Sequence, residues 1–518
     1  MLTNDNKRAF VLLWGIIAVA TLLTAAIIVT VGARVWQIGL SGPGGWQWKY
    51  YALPANWTAW ALVPPVVAFL AIVTLTLTPA GFRMPLLRWS SVTQVLRFAI
   101  LFLSLWGLWE TLPEIAPLGT YEGVLTTSNP YAGGYYLEAV QATRVMGVRD
   151  YLRRYPQRIG SLEVIGPMGH LADHPPGAVL VHWFLNALMA GSPALAETLW
   201  PVTELNLQAA NRAMELMRTW LTQAELAGMW ASMHFFRLAA ALAALAALFL
   251  ARSLYTQEAS WLAAALTALI PSLHLFGPYP DQVLPVLAVS AYLAYHMALR
   301  RKSRVWAAAG GALLFVGMQF SLAFLAVIAL IAISFFLTLF FISEARPSLR
   351  SGATLAVAGL CGFVLPLLAA WCFLDYDSLS VWMTCYRKHA SFAVVFPRPY
   401  FKWVLFAPVE ASLFAGVPLA CLFLLALWRN RSAWRPGKQP MDVLPWSLVI
   451  LLAVLSLSGK NLGEVGRLWM FLMPFGSVAV AGLLAGHFPR WRLAAAAVLA
   501  LMFAQLICFR GSLDVFTP

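Results

Sequence analysis

Apolar runs of roughly twenty residues, separated by short polar breaks, fill most of the chain. They fall near 9–33, 58–79, 98–117, 229–251, 259–276, 282–299, 305–318, 322–342, 353–373, 404–428, 445–457, 468–485 and 493–509. A run of that length spans a bilayer as a helix, so the pattern predicts an all-α polytopic membrane protein with about thirteen transmembrane helices. The runs at 305–318 and 445–457 are short, and "GMQF" (317–320) predicts a tight turn dividing one long run.

The stretch 118–228 is different. "GYYLEAVQATRVMGVRDYLRRY" (134–155) carries helical periodicity, with an acid early and arginines late, as the helix dipole favours. "ADHPPGAVLVHW" (172–183) sets a charged, proline-stiffened cap on an apolar run, 175–191, that is too short to cross a membrane. Residues 192–226 offer one or two further helices. Short amphipathic helices of this kind lie in the membrane interface, with the cap toward water.

Composition agrees. The 518 residues are 61% hydrophobic and 11% charged, where a soluble domain carries about 25% charged residues. The first run is too long for a signal-peptide core and reads as a retained anchor. Of five cysteines, four lie in apolar runs as small buried thiols, and Cys385 falls in a loop. "GPGGWQWKYY" (42–51) reads as a glycine-rich turn and an aromatic interfacial belt.

Charge sets the orientation. Short loops rich in Lys and Arg all fall on one side, which predicts a cytoplasmic N-terminus, an external C-terminus and an external 118–228. Of the 35 basic residues 18 fall inside, and of the 21 acids 17 fall outside or near outer span ends. The net charge of +14 therefore sits on the cytoplasmic side. It is a topology signal, and nothing in the sequence points to nucleic acid.

The order of motifs resembles the GT-C superfamily of polytopic glycosyltransferases, especially protein O-mannosyltransferases and lipid A aminoarabinose transferases. A span rises to the outside (98–117), a Tyr-rich helix start follows ("GGYYLEA", 133–139), and the loop closes on "HPPG" (174–177) and "HW" (182–183). "FGPYPDQVLPVLA" (276–288) then puts Asp281 where the family has an acid in its second outer loop. The resemblance covers about 95–345. Residues 1–94 then read as a two-span addition, 95–345 as the core with its outer loop 118–228, and 346–518 as C-terminal spans with basic outer loops.

The resemblance implies an integral protein of the bacterial plasma membrane. It would move a sugar from a polyprenyl-phosphate donor to an outer-face acceptor, whether protein, lipid or polysaccharide. Membrane lipids are its other partners. Where the family has an acidic pair, this chain has Gly133-Gly134. The catalytic acid is then sought among Glu122, Glu138, Asp173 and Asp281. Glu122, in the loop "TYEGV" beside a flexible glycine, is the first choice for the acceptor-activating base and Glu138 the second. Each has a structural alternative: Asp281 as a helix cap, Glu138 as a first-turn acid, Asp173 as the partner that orients His174.

Displacing a phosphate also needs cations. His174, Arg387, Lys388, Lys460 and Arg467 are the phosphate-binding candidates, with Arg398 and Lys402 in the same basic loops; anchoring to anionic headgroups is their alternative role. His170, Asp173 and His174 have a helical metal-ligand spacing, but the following Pro-Pro breaks the helix; no metal site is assigned, although a divalent ion fits the chemistry. Two other classes stay open: a transporter or flippase of lipid-linked glycans, and a GT-C-like scaffold without turnover. The lack of an internal repeat and the gathering of polar residues outside the spans weigh against transport.

Overall fold

The computed structural model describes residues 4–78, 92–129, 134–163, 169–199, 220–341, 348–395, 397–431, 442–460, 462–488 and 490–515. The protein is a polytopic α-helical membrane protein. Among the described residues nine helices are long and apolar enough to cross a membrane, or up to eleven if two bent helix pairs are each one span.

The difference from thirteen has local causes. The 259–276 run is not one helix but Gln257–Ala268 and Pro271–Leu275. Proline cannot donate the backbone hydrogen bond a continuing helix needs. The 404–428 run divides into Tyr400–Ala415 and Val417–Asn430, bent by 114° at Gly416, whose φ of 101° only glycine adopts at no steric cost. The two short runs form helices of 15 and 16 residues, Arg304–Met318 and Val443–Ser458. The expected turn at 317–320 is present: the helix ends at Met318, and a Cβ on Gly317 would lie 2.2 Å from the Phe324 ring as the chain returns.

The bundle has an inside and an outside. The Met470–His487 span is almost wholly buried, whereas the Arg350–Leu374 span lies almost entirely on the outside of the bundle. The central Gln223–Leu254 helix is alanine-rich, so neighbours approach closely. Cys361 and Cys372 lie exposed on the peripheral Leu349–Leu374 helix, not buried, and Cys385 is buried inside the Ser378–Val395 helix, not in a loop.

One end of the bundle gathers distant parts of the chain. Lys49–Tyr50 pairs antiparallel with Leu513–Asp514, which joins the segment after the first span to the C-terminal tail. The aromatic stretch 42–51 does not simply line an interface. Trp48 is buried against Phe276 and Phe414 and donates to Glu410 at 3.0 Å.

At the same end, the described part of 118–228 folds into short helices: Thr120–Ser128, Tyr135–Val145, Val148–Ser161, Gly169–Ala172, Gly177–Ala190 and Pro193–Leu199. The helix expected over 134–155 is two, broken at Met146 and Gly147. Gly133 and residues 200–219 lie outside the described residues.

Gly177–Ala190 has 14 residues, about 21 Å of helix against ~30 Å of hydrocarbon, and bends by 101° into Pro193–Leu199. Its cap is not free in water. The Gly177 amide donates to the Gln319 carbonyl at 2.7 Å, and His174 Nδ1 lies 3.2 Å from the Phe320 carbonyl. The His-Pro-Pro-Gly cap therefore docks on the turn at 317–320. A Cβ at Gly177 would lie 2.5 Å from that Gln319 oxygen. Gly177→Ala is expected to destabilise the protein by about 1–3 kcal/mol, as overpacking against fixed atoms does. A thermal melt in detergent equal to the wild type would contradict the docking.

Candidate functional site

Asp281 lies in the turn Pro280–Gln282 at the foot of the Val283–Arg301 helix. The residues that cap this turn and helix make no side-chain capping bonds. The Asp281 carboxylate instead faces Arg467, Oδ2 to Nε 3.6 Å. Arg467 comes from the short Val465–Leu468 helix that leads into a buried span. Its Nη1 lies 3.8 Å from Glu464 Oε2, and Arg398 lies 3.4 Å from Glu464 Oε1. Arg398 is itself held between Trp46 and Trp403.

The Arg467 contacts are ion-pair distances, longer than hydrogen bonds, and its buried Nε has no hydrogen-bond partner among the described residues. Burial opposes its charge, but Glu464 and Asp281 outweigh that and raise its pKa. The guanidinium is permanently charged and keeps donors in reserve.

The second half comes from the end of the 118–176 segment. Asp173 lies 3.6 Å from His174 Nε2 and 3.7 Å from His389 Nδ1. The Phe320 carbonyl can only accept, so His174 Nδ1 carries a proton and Nε2 is turned toward Asp173. Burial alone would raise the Asp173 carboxyl, but His174 and then His389 hold it below the ordinary range. Burial, then the charge of Arg467, keeps His170 below its usual pKa and so neutral.

A depressed carboxyl stabilises the fold above its unfolded pKa, and that contribution is lost as the pH falls through the folded value. For Asp173 the ordinary value is 3.8. Asp173→Asn is therefore expected to flatten the acid limb of the melting-temperature profile below about pH 4. An unchanged acid limb would contradict the ion pairing of Asp173.

Tyr135 joins the halves. It opens the Tyr135–Val145 helix after Gly134, whose φ of 71° gives a backbone reason for glycine there. Its ring meets that of His174 edge-on at 5.8 Å. Burial raises its hydroxyl pKa first, and the Asp281 and Asp173 charges raise it further, so both carboxylates act on one phenol that stays protonated. The structure thus brings Asp281, Arg467, Asp173, His174 and His170 together around Tyr135.

Other expected site residues lie elsewhere. Glu122 is not in a mobile loop. It is in the Thr120–Ser128 helix and 3% exposed, with Arg510 Nη2 at 2.5 Å and the Tyr51 hydroxyl donating to its other oxygen. Gly123 is not a hinge either: a Cβ there would lie 2.8 Å from Met233. Glu138 is engaged by Arg158 at 2.8 Å. Lys388 donates to the carbonyls of Gly160 and Leu162, at 3.0 and 2.5 Å, closing the end of the Val148–Ser161 helix. Lys460 lies over the Tyr386 ring at 5.7 Å. Arg387 and Lys402 are exposed.

The sequence reading missed several groups. Glu410, 1% exposed, accepts from Trp48 and from the Gly466 amide, while Ser272 donates to the Gly466 carbonyl, so both backbone groups beside Arg467 are gripped. Arg510 and Glu410 each interrupt an apolar run, and a charge in a span is the signal that would have found them. The same holds for a cluster inside two spans: Glu110 lies 2.8 Å from His234 Nδ1 and 2.9 Å from Arg237 Nη1. Polar residues are therefore not confined to the outside of the spans.

Among the described residues no three His, Cys, Asp or Glu side chains converge to hold a metal. Asp173 and Asp281 each face cationic or imidazole groups, and Arg467 supplies the site's positive charge.

No family model matches the chain, and no curated sequence matches it. Two solved structures of an archaeal oligosaccharyltransferase from Archaeoglobus fulgidus are distantly similar. The complex with zinc and sulfate has a TM-score of 0.36 and 12% identity, over 70% of this chain and 48% of that one. The AglB complex with an inhibitory peptide and a dolichol-phosphate has a TM-score of 0.40 and 11% identity, over 88% of this chain and 56% of that one. The chain thus spans about half the length of those enzymes. Neither match is close enough to place it in a family.

Proposed function

We propose that the protein is a membrane glycosyltransferase of GT-C type that transfers a sugar from a polyprenyl-phosphate carrier at the cluster around Tyr135. The observation that carries this reading is Arg467, a half-buried guanidinium held between Asp281 and Glu464 beside the His-Pro-Pro-Gly cap, whose buried Nε has no hydrogen-bond partner among the described residues. Arg467 receives the carrier phosphate, and Asp281 aims the guanidinium. Asp173, whose buried Oδ1 has no hydrogen-bond partner among the described residues, takes the acceptor proton.

In the transfer, the bond from the anomeric carbon to the phosphate oxygen breaks and one to the acceptor oxygen forms. The acceptor proton passes to Asp173, and the phosphate leaves with its charge against Arg467. The cluster lies at the end of the bundle that carries the described part of 118–228, which we take to be the external face, with the N-terminus in the cytoplasm.

The bend at Gly416 and the charges of Glu110, His234 and Arg237 inside the spans favour a second reading, transport of a lipid-linked glycan, since transporters use broken helices and buried charges. The test is reconstitution into liposomes holding a polyprenyl-phosphate sugar and candidate acceptors. Release of sugar-free polyprenyl phosphate supports transfer. Movement of intact donor between leaflets without release would replace it with transport.

A further inference from the structure

Residues of the Tyr135–Val145 and Val148–Ser161 helices, with Met146 from their junction, line a cavity of about 550 Å³. That is within the ~300–1,000 Å³ range of small-molecule sites. Gln141 lines one wall, and Arg154, Gln157 and Ser161 line the other. The Glu138–Arg158 ion pair and Tyr151 also face it.

Charge distinguishes Arg154. The other arginines of its helix have carboxylate partners: Arg149 with Asp375 at 2.7 Å, Arg153 with Asp150 at 2.7 Å and Arg158 with Glu138 at 2.8 Å. Arg154 is exposed and has no carboxylate within ion-pair distance among the described residues. The cavity therefore offers one uncompensated guanidinium, two primary amides and a hydroxyl. Ala142, Val145 and Met146 add apolar surface.

We propose that this cavity binds an acidic saccharide. Amides and hydroxyls pair with sugar hydroxyls, the apolar wall covers C–H faces, and Arg154 receives a carboxylate or phosphate in the bidentate geometry a guanidinium favours. The cavity is separate from the cluster around Tyr135. Between them stand Tyr151, which lines the cavity, and Tyr155, whose ring lies 5.5 Å from that of Tyr151 and whose hydroxyl donates to the His174 carbonyl at 2.8 Å. Two tyrosine side chains, Tyr151 and Tyr155, separate a saccharide seated here from that cluster. Resting on the transferase reading, this groove docks the remote part of an acidic acceptor.

The test is calorimetry on the full chain in detergent with trigalacturonic acid and sialyllactose, and with galactotriose and lactose as neutral counterparts. At least one acidic probe is expected to bind saturably and more tightly than its neutral counterpart. Arg154→Ala should weaken that binding at least tenfold, with the melting temperature unchanged and Arg154→Lys recovering part of it. Arg153→Ala, on the same helix but outside the cavity lining, should bind as the wild type does. Equal binding of acidic and neutral probes, no effect of Arg154→Ala, or no saturable binding of either acid overturns the proposal. A chain that binds the acid through Arg154 but releases no polyprenyl phosphate overturns the transferase reading and leaves the groove standing.

Discussion

Arg467→Ala is expected to lower transfer from a polyprenyl-phosphate sugar by about 10²–10³-fold, the usual cost of removing one group that stabilises charge developing in a transition state. Asp173→Asn is expected to cost about 10²–10⁴-fold, the range for a positioned general base. The two should differ in kind. Losing Arg467 removes a contact with the phosphate, present before reaction and stronger during it, so both KM for the donor and kcat suffer. Losing Asp173 leaves donor binding intact and falls on kcat. Arg467→Lys keeps the charge but not the fork toward Asp281 and Glu464, so only partial rescue is expected. Full activity in Arg467→Ala would remove the cluster from the mechanism.

Arg510→Ala should produce the largest loss of stability. Arg510 and Glu122 are 2% and 4% exposed at their side chains and 2.5 Å apart. Removing one member of a buried ion pair leaves a desolvated charge and typically costs about 3–5 kcal/mol. Tyr51 donates to the same carboxylate, and Gly511 packs against Ala55 and Trp57, so the loss falls where the C-terminal tail joins the segment after the first span. Glu122→Gln should cost less than Glu122→Ala, since the amide oxygen still accepts from Tyr51. The double change Glu122→Leu with Arg510→Leu should recover much of the Arg510→Ala loss, because no unpaired charge remains. The check is thermal unfolding of purified variants. If Arg510→Ala melts with the wild type, the pair is not holding the tail.

This prediction also marks the limit of the sequence reading. The helical class follows from hydropathy, and the turn at 317–320 and the short helix after His-Pro-Pro-Gly follow from local chain chemistry. Asp281 was legible from the GT-C-like order of motifs, which has an acid at the start of that span, and Arg467 as a charge entering a span beside Glu464, where it is costly unless paired. Their pairing was not, since 186 positions separate them in the sequence. Glu122 shows the same limit from the other side. Read locally, it is a loop acid beside a glycine. Its partner Arg510 is 388 residues away, and only the fold brings them together. The sequence count of about thirteen exceeds the nine to eleven candidate spans of the described residues where Pro271 and Gly416 redirect the backbone inside apolar runs and where two runs form helices of only 15 and 16 residues.

The central claim is that the Tyr135 cluster holds the carrier phosphate. The most direct measurement is a structure of the full protein with a polyprenyl-phosphonate sugar whose anomeric carbon–phosphorus bond resists cleavage. The account predicts the phosphonate within hydrogen-bond distance of Arg467, with the sugar's open face toward Asp173. Density for the phosphonate at the Glu110–His234–Arg237 cluster, or anywhere out of reach of Arg467, would contradict it.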